Sequence, residues 1–184
     1  MEAHFGRPTG FDATKFKSSE EQNLTQHLKT ISSPVGVLRL VASDTGLVAV
    51  LWENDSPTRV RVGETMESPT HPLLIEAARQ LDEYFAGART VFDLELDFVG
   101  TEFQESVWSA LLAIPFGETR TYQQLATAIG KPTAARAVGA ANGRNPISIV
   151  VPCHRLVGFN GRLTGFAGGL ENKQYLLTLE SRQA

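Results

Sequence analysis

The chain's one cysteine stands in the run Pro152-Cys153-His154-Arg155, between the apolar residues 147–151 and a segment rich in glycine (Gly158, Gly161, Gly165, Gly168, Gly169). A lone thiol excludes an intrachain disulfide and a multi-cysteine zinc site, and leaves either a buried filler or a reactive nucleophile. Its neighbours favour the nucleophile. A histidine and an arginine make an electropositive setting, which favours thiolate. At an unperturbed pKa near 8.5 a thiol is only about 3% ionised at pH 7, and each unit of depression supplies about 1.4 kcal/mol toward the nucleophile. Adjacent side chains of extended backbone point to opposite faces, so His154 acts on Cys153 only if the chain turns there or a water bridges them. A carboxylate orienting the imidazole would complete the base. With Asn145 upstream, the residue types are also those of a Cys-His-Asn hydrolase, although such enzymes place the histidine far along the chain from the cysteine.

Something must bring a substrate to that thiol, and the charge distribution suggests its class. The formal net charge is −3, from 17 Lys+Arg and 20 Asp+Glu, which argues weakly against nucleic acid. The average hides a partition: residues 1–100 carry 9 bases and 15 acids, whereas residues 101–184 carry 8 and 5. Between 119 and 170 there are six bases (Arg120, Lys131, Arg136, Arg144, Arg155, Arg162) and no Asp or Glu. A surface meant only for solubility mixes both signs, while one that approaches phosphates gains by excluding carboxylates. This stretch reads as a polyanion-facing surface.

The 184 residues, 42% hydrophobic and 20% charged, suit one compact domain or two small ones. No apolar run approaches the roughly 18 residues of a membrane span. Met1-Glu2-Ala3-His4-Phe5 lacks the basic and apolar blocks of a signal peptide, so the expected compartment is the cytoplasm, or the nucleus in a eukaryote. Residues 1–28 are polar with scattered aromatics and read as an extension. Residues 35–42 and 47–52 are β-rich and joined by Ser43-Asp44-Thr45-Gly46, a hairpin connection. Residues 53–71 read as polar loop. Leu74, Ala78, Leu81 and Phe85 recur at helical spacing up to Gly87, and residues 92–98 alternate as a half-buried strand does. These elements form an α+β unit, 29–99.

The unit 100–184 reads as mostly helical. Thr101 with Gln104 and Thr121 with Gln124 are capping boxes opening two helices. After Gly130-Lys131-Pro132, Thr133 is placed to cap a third helix that ends at Asn142-Gly143. The second and third make a helix-turn-helix, whose second helix is the one that enters a groove. Residues 147–151 read as a short buried strand, and a last helix runs near 173–180. This groove helix carries only Arg136 among small residues, including Ala134, Ala135 and Gly139. Major-groove readers aim Arg, Asn, Gln or Lys at base edges; a face of small residues fits the minor groove, about 6 Å wide, with Arg136 as the one projecting group. A helix-turn-helix regulator is the alternative, recognisable by operator affinity that survives loss of the thiol.

Asn145-Pro146, Pro152-Cys153-His154-Arg155, Thr164-Gly165-Phe166-Ala167-Gly168-Gly169 and Lys173-x-x-Leu176-Leu177-x-x-Glu180 together resemble the O6-alkylguanine-DNA alkyltransferases, also called methylated-DNA–protein-cysteine methyltransferases. Tyr122-Gln123-Gln124-Leu125-Ala126 and Ala134-Ala135-Arg136-Ala137-Val138-Gly139 match as well, and the resemblance covers about residues 30–182. It implies a small sheet-plus-helix domain of RNase H-like type, followed by a helical domain holding the helix-turn-helix and the cysteine loop. It implies irreversible transfer of the alkyl group from O6 of a flipped guanine in double-stranded DNA to Cys153, with no cofactor, no metal and no membrane. His154, through a water, would deprotonate Cys153, and Glu180 would hold His154. Tyr122 would donate to guanine N3, Arg136 would fill the gap left by the base, and Asn145 would brace the turn into the cysteine loop. Backbone groups of Cys153 and Leu156 would accept from the guanine amino group, while Phe166 and Ala167 would close over the base. Arg155 reads as a structural ion-pair partner. Activity on O4-alkylthymine and self-association on DNA are compatible with the resemblance and not fixed by it. Many relatives have tyrosine where Phe166 stands, so any hydroxyl contact there is absent. Relatives that only bind lesions lack the cysteine.

Overall fold

The computed structural model describes residues 26–183, so the extension read from the sequence lies outside the described residues as far as position 25. Gln26, His27 and Leu28, which that reading left in the extension, open strand β1 (Gln26–Ser33). β1 pairs antiparallel with β2 (Gly36–Ala42) from His27↔Ala42 to Ser33↔Gly36, and β2 pairs antiparallel with β3 (Leu47–Trp52). β1's own sequence is mostly polar; a long partner strand decides its conformation, not its propensity. A short β4 (Thr65–Glu67) lies parallel to β1 on the outer edge, giving the order β3-β2-β1-β4. It falls within the stretch read as loop, and three exposed residues have no period to betray them.

Strand alternation divides the sheet into two faces. Leu38, Leu40, Ala42, Leu47, Val50 and Trp52 enter the main core, while Val41, Val48, Ala49 and Leu51 form a small cluster with Leu28, Val60 and Val62. Helix α1 (Pro72–Phe85) packs on the main core with Leu74, Ala77, Leu81 and Tyr84. Residues 92–98 are extended, but they do not form the expected strand. Only Leu96 bridges to Leu47, through Leu47 N–H to Glu95 O (2.8 Å) and Asp97 N–H to Leu47 O (2.9 Å). The alternation is real, since Leu94 and Phe98 are buried and Asp93 and Glu95 exposed. The free edge of β3 is shared, however: Val50 N–H is given to Pro146 O (3.0 Å).

The second unit begins with α2 (Glu102–Leu112), opened by the Thr101–Gln104 capping box. The pair β5 (Arg120–Thr121) and β6 (Leu156–Val157) is parallel. Helix α3 (Tyr122–Ala128) starts at the Thr121–Gln124 capping box. At its end Gly130 has φ +72, with Lys131 N–H bonded to Ala126 O (2.9 Å) and Gly130 N–H to Thr127 O (3.0 Å). This is the six-to-one and five-to-two pattern of a left-handed glycine stop. Helix α4 (Ala135–Gly143) follows, and its N-cap is Ala134 without a side-chain cap, not Thr133. The backbone turn does the work there, since Ala134 N–H bonds Lys131 O and Val138 N–H bonds Ala134 O, both at 2.9 Å. Helix α5 (Leu170–Ser181) closes the chain. One hydrophobic core runs through both units, from Leu38 and Leu81 to Val107, Val138 and Leu176. Among the described residues no helix is long and apolar enough to cross a membrane.

Candidate active site

Residues 147–151 form a tight buried turn, not the expected strand. Ile149 has φ +73, and Val151 N–H returns to Ile147 O at 2.9 Å. A left-handed β-branched residue is strained, on the order of 1–3 kcal/mol, and persists only where its surroundings hold it. Asn145, fully buried, supplies the hold: its amide Nδ2–H donates to Val151 O (2.9 Å) and its Oδ1 accepts Ile147 N–H (3.0 Å). Arg59 donates to the Asn145 carbonyl (2.5 Å) while its guanidinium is engaged on both sides by Asp55. The strained residue then has a use, because Ile149 N–H and the Asn145 side chain both act on the Cys153 thiol to favour its ionised form.

The 3-10 turn Cys153–Arg155 that follows replaces the extended backbone that would send the side chains of Cys153 and His154 to opposite faces. All three are buried. His154 Nε2 lies 2.7 Å from Glu180 Oε1. The same oxygen accepts from Tyr84 Oη (2.8 Å) and Arg155 Nη2 (3.0 Å), and Oε2 accepts from Arg155 Nε (2.8 Å) and Gly117 N–H (3.1 Å). Burial alone would raise the Glu180 carboxyl, but the hydrogen bonds and charge of His154 and Arg155 outweigh it and hold it at about 2. An ionised carboxylate only accepts, so the imidazole proton sits on Nε2. His154 Nδ1 is then the basic nitrogen, and it is buried with no hydrogen-bond partner in the protein. Burial pushes His154 below the ordinary imidazole range, against the pull of Glu180, so the ring is neutral.

The thiol departs from expectation. Burial pushes Cys153 up, and the hydrogen bond from Asn145, the charges of Arg59 and Lys173 and the Ile149 N–H only partly offset it. Arg155, the flanking cation, faces Glu180 and Ile114 O (2.6 Å). At rest Cys153 is a protonated thiol, and His154 Nδ1 is the neighbouring residue's unengaged basic nitrogen.

Around this centre, Tyr122 Oη is 2.9 Å from Thr164 Oγ1, and burial raises the phenol so that it keeps its proton. Lys173, fully buried, donates to Leu156 O (2.5 Å), and Leu156 N–H donates to Cys153 O. Both carbonyls expected to meet guanine thus hold one bond already and keep a second lone pair. The loop carrying Phe166 and exposed Ala167 is pinned from the sheet: Phe166 meets Trp52 edge-on at 5.4 Å. A Cβ at Gly168 would stand 2.6 Å from the Trp52 ring, and Asn172 Nδ2 joins Gly168 O (2.9 Å) to Val35 O (3.0 Å).

Helix α4 lies apart from the relay. Arg136 is exposed and makes no hydrogen bond or ion pair among the described residues; Ala134, Ala135 and Gly139 are half-buried. A Cβ at Gly139 would sit an ordinary 3.7 Å from the Tyr122 ring, so no internal clash requires glycine there. Of the six bases in the acid-free stretch, Arg120 pairs with Glu118 (2.7 Å) and Arg155 with Glu180. Lys131, Arg136, Arg144 and Arg162 remain exposed.

Sequence reasoning missed Arg59, Tyr84 and Trp52, and noted Thr164 and Lys173 only as parts of motifs. None carries a local signal, because each meets its partner across the tertiary structure. The geometry also removes the hydrolase reading: Asn145 holds backbone and thiol, and the group orienting His154 is Glu180.

The model of the 6-O-methylguanine DNA methyltransferase ribonuclease-like domain matches residues 27–98, and that of the family's DNA-binding domain matches residues 102–182. A methylated-DNA–protein-cysteine methyltransferase of Mycolicibacterium paratuberculosis is 51% identical over 85% of this chain and 93% of its own length. One from Methanosarcina barkeri is 48% identical over 82% and 94%. The Mycobacterium tuberculosis OGT, solved in complex with DNA, superposes with a TM-score of 0.79 at 48% identity, covering 86% of this chain and 94% of that one. The buried cysteine, histidine and glutamate thus sit in a fold and a sequence shared nearly end to end with these proteins, and the chain belongs to the methylated-DNA–protein-cysteine methyltransferase family.

Proposed function

We propose that the protein repairs DNA by flipping O6-alkylguanine out of the duplex and moving its alkyl group irreversibly to Cys153. The observation that carries this reading is the buried turn Cys153–Arg155, in which His154, next in the chain to the thiol, commits one imidazole nitrogen to Glu180 and keeps the other available. His154 Nδ1 takes the thiol proton through a bridging water. Sγ then attacks the alkyl carbon, the C–O6 bond breaks, and its electron pair passes to the guanine ring. The departing proton returns through the pocket, leaving guanine and a thioether. Ile149 N–H and the Asn145 amide stabilise the thiolate, and Tyr122 donates to guanine N3 as charge develops there.

A base inside a duplex hides O6 from a buried thiol, and unstacking it costs a few kcal/mol, least for a poorly paired alkylated base. Arg136, projecting from a helix that otherwise presents small residues, occupies the vacated space from the minor groove. Ala134, Ala135 and Gly139 allow the backbone's approach, while Leu156, Phe166 and Ala167 enclose the base. Residues 29–99 act as the unit that braces the site and 100–184 as the unit that binds DNA and reacts, in the compartment that holds DNA. An S-alkyl thioether is a poor leaving group and the chain has no second thiol, so each molecule acts once. Mass spectrometry after mixing with an oligonucleotide carrying O6-methylguanine tests this. One alkyl group per chain on the Cys153 peptide is expected; more lesions repaired than protein added would refute it.

A further inference from the structure

We propose that His27, Asp44 and His71 form a site for a divalent transition-metal ion of the zinc class, at the N-terminal end of α1, the end opposite to Tyr84 and its bond to Glu180. The three come from β1, from the β2–β3 hairpin and from the N-cap of α1, and one ligand atom of each lies within 4.8 Å of the other two. Their separation in sequence shows no ligand spacing, and the lone cysteine excludes only a thiolate site.

The hydrogen bonds suit one nitrogen of His27 to a metal. Ser68 Oγ lies 2.9 Å from His27 Nδ1 and 3.3 Å from Met66 O, so an ion on Nε2 leaves Nδ1–H to donate to Ser68 Oγ while the hydroxyl hydrogen goes to Met66 O. Orienting one imidazole nitrogen by such a bond is how metal-binding histidines are held. His27 Nε2 then turns a lone pair toward Asp44 Oδ1 at 3.5 Å. In that tautomer the two acceptors face each other across a gap that a cation fits. The His71 ring is stacked on His27, with centroids 4.2 Å apart and planes at 27°, and its Nδ1 is buried without a hydrogen-bond partner. A proton can serve His27 alone, whereas a metal ion serves all three groups. Two imidazoles and one carboxylate suit Zn²⁺, Co²⁺ or Ni²⁺ and not Mg²⁺ or Ca²⁺, which prefer oxygen. A tetrahedral ion with bonds of 2.0–2.1 Å needs its ligand atoms roughly 3.3 Å apart. The required contraction falls on Asp44, whose side chain is 70% exposed and able to rotate.

The test is a Co²⁺ titration of the full chain followed by visible absorption, with thermal unfolding in Zn²⁺ or Mg²⁺ alongside. One Co²⁺ per chain, visible bands without a thiolate charge-transfer band, and a Tm raised by Zn²⁺ but not by Mg²⁺ are expected. Asp44→Asn, at an exposed position that does not threaten folding, and His71→Asn, at an N-cap whose side chain makes no cap bond, should each weaken binding more than the about tenfold expected for Ser68→Ala. Alkyl transfer should be unchanged in all three. A thiolate band would place the metal on Cys153 and overturn the proposal. So would affinity unchanged by Asp44→Asn and His71→Asn, or no saturable binding, which would leave a proton as the shared cation.

Discussion

Around Glu180, five hydrogen bonds from α1, the turn Cys153–Arg155 and Gly117 converge on one buried carboxylate, whereas the outer face of α4 presents Arg136, Ala137 and Ala140 to solvent. The difference follows from where each region finds its partner. A buried charge is tolerated only when fully compensated within the protein, so Glu180 has its partners before any other molecule arrives. The α4 face has no such internal compensation: Arg136 makes no hydrogen bond or ion pair among the described residues, as suits a face proposed to meet DNA. Substitutions around Glu180 should therefore disturb stability and chemistry together, and substitutions on α4 should disturb only duplex recognition.

The largest effect is expected for Cys153→Ser, which should abolish alkyl transfer while keeping DNA affinity, since a serine hydroxyl is scarcely ionised at neutral pH. A serine variant that still removes the alkyl group would mean that the nucleophile lies elsewhere. Glu180→Gln comes next. It leaves the Arg155 guanidinium buried without its counter-charge, a loss of about 3–5 kcal/mol, and denaturant unfolding measures it. Acidification sharpens the same point. With Glu180 held at about 2 in the fold against 4.5 ordinarily, its contribution is complete above 4.5 and is lost as pH falls through 2. His154, held below its ordinary 6.5, adds a second loss as pH drops beneath that value. The glutamine variant should lack the more acidic of these two limbs, and an unchanged acid profile would show that Glu180 is not the stabilising carboxylate.

On the α4 side, Arg136→Ala should slow repair in duplex DNA by at least about tenfold, the equivalent of 1.4 kcal/mol of lost compensation for the flipped base, and barely affect reaction with a free alkylated guanine. Equal losses on both substrates would erase the distinction between the regions. Salt dependence gives a smaller, graded measure. Four exposed bases, Lys131, Arg136, Arg144 and Arg162, limit the slope of log affinity against log salt to about −3.6, at −0.9 for each neutralised phosphate. A steeper slope would require phosphate contacts from beyond the acid-free stretch. The smallest effect is expected for Tyr84→Phe, which removes one of the five donors to Glu180 at a cost of about 1.5 kcal/mol, with a modest fall in alkyl-transfer rate. A Tyr84→Phe protein as stable and as fast as the parent would show that the first unit does not support the relay.

The sequence by itself determined what is local or periodic. The capping boxes at Thr101 and Thr121, the glycine stop after α3, the β2–β3 hairpin and the spacing of α1 all follow from contacts within a few residues, so they were legible before the fold was known. The motif around Cys153 and Glu180 was legible as a set of residue types. Tertiary structure decided the rest. β1 and β4 exist because of their partners, and residues 92–98 alternate like a strand yet find the edge of β3 shared with Pro146. The thiol's protonation was read wrongly from its neighbours, because the flanking arginine turns to Glu180 and burial dominates. Tyr84 reaches Glu180 across 96 residues and Arg59 reaches Asn145 across 86. Such contacts leave no periodic trace, since a single side chain pointing into a core looks the same in sequence whichever distant group it meets.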